Sequence, residues 1–152
     1  SVGKLLSKRL NFEFKDTDEM IETLENNTIN EIFRLHGERY FRDLETALLL
    51  SIKDTLKKTV LSTGGGMPVR ESNRKLLKEI GHVVFLRTSV GTIAERLTGD
   101  KTRPLLKNGN LNETVEKLLA ERTAYYEEAA DIIVDTDNKS VEDIVNKILS
   151  SV

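Results

Sequence analysis

Apolar positions in the first part of the chain follow mainly a helical period, interrupted by one short strand-like segment. Val2, Leu5, Leu6 and Leu10 are spaced as on one face of a helix, and residues 11–16 then alternate apolar and polar side chains. Helical spacing returns afterwards, and the predicted helices are Glu19–Glu25, capped by Thr17 or Asp18, then Ile29–Leu35, which stops at Gly37, and the long amphipathic Glu38–Lys58. This part is therefore predicted to form a helix, a strand and three further helices.

The remaining sequence alternates short β-branched runs with helical segments. The runs Val60–Ser62, Val83–Leu86 and Ile132–Asp135 are typical of buried strands. The predicted helices between and after them are Asn73–Ile80, Thr92–Leu97, Asn112–Glu128 and Val141–Leu149. Strands separated by helices indicate an α/β fold in which helices cover both faces of a parallel sheet.

Composition narrows the classes of protein to which this chain can belong. Its 152 residues match the size of one domain, and no repeat, low-complexity tract or linker divides residues 1–152. The formal net charge of -2 provides no basic field for a nucleic acid or an anionic membrane, and no apolar run is long enough to span a bilayer. The absence of cysteine excludes thiol chemistry, and His36 and His82 are expected as surface or core residues rather than ligands. We therefore expect a cytoplasmic protein without nucleic-acid or membrane partners.

Ligands of open α/β sheets bind at the carboxyl ends of the strands, so the residues that follow each predicted strand are candidates for a site. Asp16 and Asp18 follow the first strand, where they are either a helix cap with a solvated acid or a pair of ligand-binding carboxylates. Gly64, Gly65 and Gly66 follow the second strand. A tight turn needs one or two glycines, and a third suggests that a ligand approaches the backbone too closely for any Cβ.

Several arginines are candidates for binding an anionic ligand. Arg42 precedes Glu45 by three residues on a predicted helix, which is either an exposed ion pair or a guanidinium oriented by a carboxylate to bind a substrate. Arg96 precedes the polar stretch Thr98–Pro104, and Arg103 lies within it; this stretch, part of a segment around 98–110, is either a solvated surface loop or a mobile lid over nucleotide phosphates. Arg122 interrupts an otherwise ordinary helix and has no evident apolar role.

Taken together, these segments resemble the shikimate kinase family across nearly the whole sequence. The matching segments are Ser1-Val2-Gly3-Lys4, Asp16-Thr17-Asp18, Gly37-Glu38-Arg39-Tyr40-Phe41-Arg42-Asp43-Leu44-Glu45, Ser62-Thr63-Gly64-Gly65-Gly66, Arg103-Pro104-Leu105-Leu106, and Glu121-Arg122 followed by Tyr126-Glu127-Glu128. Each segment alone is moderately specific, and their order and spacing make the resemblance strong. The resemblance implies a three-layer αβα P-loop kinase fold whose parallel sheet has five strands in the family.

The resemblance also implies an activity, the ATP-dependent phosphorylation of the 3-hydroxyl of shikimate by a monomer. Asp18 is then the acid that binds ring hydroxyls and accepts the proton of the attacking one, and Glu45 orients Arg42. The substrate-binding residues carried over from the family are Asp18, Phe33, Phe41, Arg42, Gly64, Gly65, Gly66 and Arg122, within a helical region around 17–45, the glycine triplet and a later helix. An arginine pair suits the carboxylate of shikimate and an aspartate suits its hydroxyls.

Nucleotide and metal residues follow from the same resemblance. Arg103 matches an arginine of the lid that reaches the phosphates and contributes to catalysis, and Arg96 one that stacks on adenine. Ser1 aligns just after the phosphate-binding loop, and Lys139 lies in a segment similar to that beside the adenine. Asp16 matches a carboxylate that holds Mg²⁺ through water.

The glycine-rich phosphate-binding loop G-x-x-x-x-G-K-[ST] is not in the sequence, so we expect roughly 15 residues upstream, enough for the central first strand and that loop. Two other functions stay open at this stage. One is a kinase of another small polyol or a nucleotide, such as gluconate or AMP, although the glycine triplet and the Phe41-Arg42-x-x-Glu45 unit favour shikimate. The other is a non-catalytic binding module that lacks the phosphate loop.

Overall fold

The computed structural model describes residues 2–88 and 111–152, with only the backbone given for residues 111–116 and 119. The described elements are α1 (Val2–Leu10), β1 (Glu13–Asp16), α2 (Thr17–Glu25), α3 (Ile29–Ile52), β2 (Thr59–Ser62), a 3₁₀ helix (Met67–Val69), α4 (Glu71–Ile80), β3 (Val84–Arg87), α5 (Leu111–Ala129), β4 (Ile132–Asp135) and α6 (Val141–Ser151). The predicted helix Thr92–Leu97 and the predicted lid around 98–110 lie outside the described residues. Every other predicted helix and strand has a counterpart in the structure.

The strands pair in parallel, as the alternation of strands and helices predicts. β1 pairs with β2 so that Asp16 lies opposite Ser62, and β3 pairs with β4 so that Arg87 lies opposite Asp135. The described residues thus form two two-stranded sheets. Within each pair, the carboxyl ends of both strands lie at the same edge, and the residues that follow β1 and β2 are neighbours for that reason.

Helices pack on both faces of the strands and form two hydrophobic cores. One core contains buried residues of α2, α3, the 3₁₀ helix and α4, and Leu61 packs against it. The other contains buried residues of α1, β4 and α6, and Val60 packs against it. Successive side chains of a strand point to opposite faces, which is why Val60 and Leu61 belong to different cores. The result is a three-layer arrangement of helices, strands and helices.

Two details of the predicted helices are wrong. The cap of α2 is Asp16 instead of Thr17 or Asp18, because the Asp16 carboxylate at the end of β1 accepts hydrogen bonds from the backbone N–H groups of the first turn. The predicted interruption at Gly37 is confirmed, because Gly37 adopts a non-helical φ of 84° and ψ of 176° and divides α3 into two helical halves that meet at a kink. This element ends at Ile52 instead of Lys58, which has a left-handed φ of 47° just before β2.

No helix among the described residues combines the length and the apolar character needed to cross a lipid bilayer.

Candidate active site

The glycine triplet Gly64–Gly66, which we call the glycine turn, follows β2 and leads into the 3₁₀ helix. Its three carbonyl oxygens all accept hydrogen bonds. Gly64 O accepts from Met67 N at 3.2 Å, and Gly66 O accepts from Val69 N at 3.2 Å. Gly65 O accepts from the hydroxyl of Tyr126 on α5 at 2.5 Å. The turn therefore directs its carbonyl groups towards donors within the protein.

Gly64 faces two acidic side chains. A Cβ built on Gly64 would lie 3.1 Å from Asp18 Oδ1 and 3.6 Å from Glu45 Oε2. Asp18 reaches this position from the first turn of α2, where its backbone N–H donates to Asp16 Oδ1 at 2.8 Å. Glu45 reaches it from α3. A Cβ at Gly64 would therefore push Asp18 away slightly, whereas its distance from Glu45 would be that of an ordinary van der Waals contact.

The other two glycines face the two arginines of the predicted site. A Cβ built on Gly66 would overlap the guanidinium of Arg42. A Cβ built on Gly65 would lie 3.9 Å from Arg122 NH1 and 3.4 Å from the hydroxyl of Tyr126. Adjacent glycines thus lie next to Arg42, from α3, and Arg122, from α5. The structure brings both guanidinium groups and Asp18 to one short turn.

The Arg42 side chain is held by an acidic residue and lies beside an aromatic ring. Its NH1 donates to Glu45 Oε1 at 2.6 Å, its NH2 lies 3.5 Å from a Glu38 carboxylate oxygen, and its side chain is 15% exposed. The guanidinium carbon lies 5.4 Å from the centroid of the Phe41 ring, and the Phe33 and Phe41 centroids are 4.8 Å apart. Phe33 and Phe41 therefore lie together beside the Arg42 guanidinium, with Phe41 buried in the core and Phe33 partly exposed.

The two acidic residues of the site, Asp18 and Glu45, are shielded from solvent and incompletely hydrogen-bonded. Glu45 is fully buried, Asp18 is half-buried, and one oxygen of each accepts no hydrogen bond from any described residue. Burial raises the pKa of Asp18 above its ordinary value, and the negative charges of Asp16 and Glu22 raise it further, against the opposing charge of Arg42. Burial also raises the pKa of Glu45, more than its hydrogen bond to Arg42 lowers it. Asp18 is thus a buried acceptor that a ligand hydroxyl could satisfy, and its raised pKa suits a proton acceptor.

Sequence reasoning missed the side chains that support the glycine turn. Asn73 is fully buried, donates to Met67 O at 3.0 Å and accepts from the Thr46 hydroxyl at 2.7 Å. Arg74 NH1 donates to the carbonyl groups of Pro68 and Val69 at 2.8 and 2.9 Å.

A second contact of Arg74 reaches α5, where its guanidinium lies 4.7 Å from the Tyr125 ring centroid. Arg74 Nε is 3.1 Å from Glu128 Oε2, at an angle that does not make a hydrogen bond. α5 and the segment after the glycine turn are therefore held together. Tyr126 was noticed only as part of the matching segment Tyr126-Glu127-Glu128, and nothing in its spacing indicated a bond to a residue 61 positions away.

The remaining predicted residues border this cluster, lie apart from it or fall outside the described residues. Asp16 borders it, because its Oδ1 caps α2 and accepts from the backbone N–H of Asp18 at 2.8 Å. Lys139 is exposed in the loop after β4, and no described contact joins it to the glycine turn. Ser1, Arg96 and Arg103 are outside the described residues. His36 is exposed and stacks on Tyr40, and His82 is exposed as well, which agrees with a surface role for both.

The described residues contain no group of three or more histidine or acidic side chains that could bind a metal ion. A single carboxylate such as Asp16, with one oxygen committed to a helix cap, fits water-mediated binding of a hard cation better than direct binding.

Comparisons with known proteins agree on one family. The family model described as shikimate kinase matches residues 1–152. A shikimate kinase of Geobacter sulfurreducens is 43% identical over 152 residues, which is 100% of this chain and 83% of the relative. Among solved structures, a shikimate kinase from Acinetobacter baumannii in complex with shikimate has a TM-score of 0.85 at 38% identity, covering 99% of this chain and 83% of the other. Shikimate kinase from Aquifex aeolicus has a TM-score of 0.84 at 37% identity, with 99% and 86% coverage.

Proposed function

Because the chain belongs to the shikimate kinase family and has its P-loop kinase fold, we propose that it transfers the γ-phosphoryl group of ATP to the 3-hydroxyl of shikimate. Phosphorylation of shikimate is the activity that the family, its curated relatives and its solved structures share, and ATP is the phosphoryl donor. The reaction is a step of aromatic amino-acid biosynthesis. The choice of the 3-hydroxyl and the roles of individual residues are the parts of the proposal that need tests.

The observation that carries the proposal is the convergence of Arg42, Arg122 and Asp18 on the glycine turn. Two guanidinium groups provide several charge-assisted donors for the carboxylate of shikimate. Phe33 and Phe41 offer an apolar surface for the carbon ring beside it. The glycine turn forms a wall of backbone without side chains against which a small ring can lie closely.

Asp18 is proposed to select and activate the acceptor hydroxyl. Its free, buried oxygen would accept a hydrogen bond from the ring hydroxyls, and its carboxylate would take the proton of the attacking one. A carboxyl group with a raised pKa accepts a proton more readily than an ordinary one. Glu45 acts indirectly, because its carboxylate bonds Arg42 and so fixes the guanidinium that would bind the substrate.

Nucleotide binding is assigned to residues away from the glycine turn. We propose that Arg96 and Lys139 contact the adenine side, that Arg103 reaches the phosphates, that Ser1 borders the phosphate-binding loop, and that residues around 98–110 act as a lid. Mg²⁺, when bound, neutralises charge on the phosphates, and Asp16 would hold it through water. A monomeric state, a cytoplasmic location and the organisation of residues 1–152 as one domain stay predictions.

Steady-state kinetics with ATP, Mg²⁺ and shikimate tests the proposal on the full natural chain. Arg42→Ala and Arg122→Ala should each raise the KM for shikimate by roughly 10- to 100-fold, the size expected for a lost charge-assisted hydrogen bond, and leave the KM for ATP nearly unchanged. Arg34→Ala is the matched control, because Arg34 lies on the same helix α3 but its ion pair with Glu31 is exposed. Arg34→Ala should behave like the wild type.

Four results would contradict the proposal. Phosphorylation of gluconate or AMP in preference to shikimate would identify another kinase, and phosphate found by NMR on a different hydroxyl of shikimate would refute the 3-hydroxyl. An unchanged KM for shikimate in both arginine variants would show that Arg42 and Arg122 do not bind the carboxylate of shikimate. If ATP and Mg²⁺ failed to raise the midpoint of thermal unfolding of the full natural chain, the non-catalytic binding module would become the better interpretation.

A further inference from the structure

Each carbonyl oxygen of the glycine turn accepts a hydrogen bond, but the bonds differ in origin. Gly64 O and Gly66 O accept from backbone N–H groups of the segment that follows them directly, at Met67 and Val69. Gly65 O accepts from the Tyr126 hydroxyl, 61 positions away on α5. Among the described residues, Tyr126 is the one side chain that hydrogen-bonds to the glycine turn. The orientation of the central carbonyl therefore depends on another element of the fold.

The hydrogen bond from Tyr126 matters because the residues around this carbonyl are glycines. Three consecutive glycines have a wide range of accessible φ and ψ values, so a peptide plane between two of them can rotate at small steric cost. The C=O of Gly65 and the N–H of Gly66 belong to the same trans peptide and point in opposite directions. While the carbonyl points to Tyr126, the N–H points away from it. A rotated peptide would instead direct a carbonyl oxygen, which repels anions, to the side that now carries the N–H.

Tyr126 itself is held in place by two features. Its ring packs against Phe85 of β3, with centroids 5.1 Å apart at an interplanar angle of 52°. It follows Arg122 by four residues on α5, so the two side chains lie on the same helix face, and both come close to Gly65. A hydroxyl anchored in this way fixes the position of α5 relative to the glycine turn. It thereby also fixes the distance between the Arg122 guanidinium and Gly65.

We propose that Tyr126 is a positioning residue of the shikimate site: its hydroxyl holds the Gly65–Gly66 peptide in the orientation that accepts an anionic ring substrate and places Arg122 over the turn. It contacts no reacting atom in this assignment. This inference rests on the proposed function, because Tyr126 would act on the same glycine turn and the same Arg122 that are proposed to bind shikimate. Its expected signature is weaker binding of shikimate without a loss of phosphoryl transfer once shikimate is bound.

The variant Tyr126→Phe tests this, because it removes the hydroxyl and keeps the ring that packs on Phe85. In the full natural chain, the KM for shikimate should rise roughly 3- to 10-fold, the effect of one hydrogen bond, while kcat and the KM for ATP stay within about twofold of the wild type. Hydrogen exchange of the peptide that covers residues 63–69 should be faster in the ligand-free variant. Tyr125→Phe is the matched control, since Tyr125 is the adjacent residue and its hydroxyl makes no hydrogen bond among the described residues.

The outcomes separate the inference from the function on which it rests. A wild-type enzyme that neither binds nor phosphorylates shikimate would overturn both. A wild-type enzyme that phosphorylates shikimate, together with unchanged shikimate KM and unchanged exchange in Tyr126→Phe, would overturn the role of Tyr126 alone. Parallel changes in the KM for shikimate, the KM for ATP and kcat would assign the hydroxyl to general stability and would also contradict the positioning role.

Discussion

At the glycine turn, three adjacent residues of one type meet three different neighbours. Gly64 lies against Asp18 and Glu45, Gly65 against Arg122 and Tyr126, and Gly66 against Arg42. A Cβ would therefore meet a different obstacle at each position: it would be tight against Asp18 at Gly64, in ordinary van der Waals contact at Gly65, and in overlap with Arg42 at Gly66. At Gly66, whose φ of -89° and ψ of -11° suit any residue, the obstacle is the guanidinium alone and the backbone is unstrained.

Replacing Gly66 with Ala should consequently act through Arg42. The new Cβ would occupy the place of the guanidinium, and Arg42 would have to leave the position in which Glu45 holds it. We expect the KM for shikimate to rise by roughly 10- to 100-fold, as in Arg42→Ala, and the midpoint of thermal unfolding to fall, because the displaced guanidinium leaves the buried Glu45 carboxylate without its partner.

A double-mutant cycle checks that mechanism. If Gly66→Ala works by displacing Arg42, the double variant with Arg42→Ala should have nearly the same KM for shikimate as either single variant. Additive effects on log KM would mean that the methyl group obstructs the substrate directly. Circular dichroism at equal protein concentration serves to show that both variants remain folded.

At the scale of elements, the bend of α3 determines which aromatic residues can meet. Phe33 and Phe41 are eight residues apart, which on a straight helix separates them by about 12 Å along the axis. Their ring centroids are nevertheless 4.8 Å apart, because the two halves of α3 change direction at Gly37. The apolar surface beneath Arg42 is therefore a product of that bend.

Gly37→Ala should destabilise the protein for a purely conformational reason. A φ of 84° with a ψ of 176° lies in a region that essentially only glycine occupies, and nothing lies within 4 Å of a Cβ built there. We expect the free energy of unfolding in urea to fall by about 1–3 kcal/mol. We also expect a higher KM for shikimate, since a straighter helix would separate Phe33 from Phe41.

The chain offers a matched control for this substitution. Gly81 also has open space around a built Cβ, but its φ of -175° is extended backbone that any residue adopts. Gly81→Ala should change the free energy of unfolding by less than about 0.5 kcal/mol. Equal destabilisation by both substitutions would contradict the importance of the bend.

The periodicity of the sequence was sufficient to predict most elements, but their ends and joins depended on contacts that periodicity does not encode. Ile132–Asp135 was predicted with the observed bounds, since a β-branched run between polar residues has few alternatives. The cap of α2 could not be chosen correctly, because Asp16, Thr17 and Asp18 all suit a cap and the turn geometry after β1 selects among them. Gly37 was correctly identified as the residue that separates two helices, but the sequence did not give the direction of the second helix relative to the first.

The candidate site was predictable where family motifs name its residues and unpredictable where the partner is a backbone carbonyl. Asp18, Arg42 and Arg122 do converge on the glycine turn, as the resemblance implied. Asn73 and Arg74 donate instead to main-chain oxygens of residues 67–69, and any residue type provides such an oxygen. No residue pattern therefore signals these bonds, and they emerge only from coordinates.

For the whole molecule, the two buried acids link function to the pH dependence of stability. Asp18 and Glu45 both have raised pKa values, so the folded chain binds protons more tightly than the unfolded chain at these groups. The free energy of unfolding therefore falls as pH rises from the ordinary pKa of Asp18, 3.8, through its raised value in the fold. Above that raised pKa, the fold bears the full penalty of the charged acid.

Asp18→Asn should relieve part of that penalty while it disables catalysis. We expect a higher midpoint of thermal unfolding at pH 7, where each kcal/mol corresponds to roughly 2–4 °C for a chain of this size. The difference from the wild type should shrink as the pH falls through the raised pKa of Asp18, because the wild-type carboxyl is itself protonated below it. The kcat for shikimate should fall by at least about 100-fold, the size of a lost general base.

Asp54→Asn is the control for this test, because Asp54 is an exposed acid in the turn after α3. It should alter neither the unfolding midpoint nor its pH dependence appreciably. An Asp18→Asn variant whose midpoint follows the same pH profile as the wild type would show that the charge of Asp18 does not burden the fold.

The wall formed by the glycine turn also limits how this kinase could be redesigned. Because Gly64, Gly65 and Gly66 carry no side chains, no substitution at the glycine turn can make room for a bulkier acceptor. Any enlargement would have to come from side chains near Arg42, such as the rings of Phe33 and Phe41, which can be exchanged for smaller groups. Redesign for a new acceptor should therefore begin with Phe33 and Phe41 on α3 and leave the glycine turn unchanged.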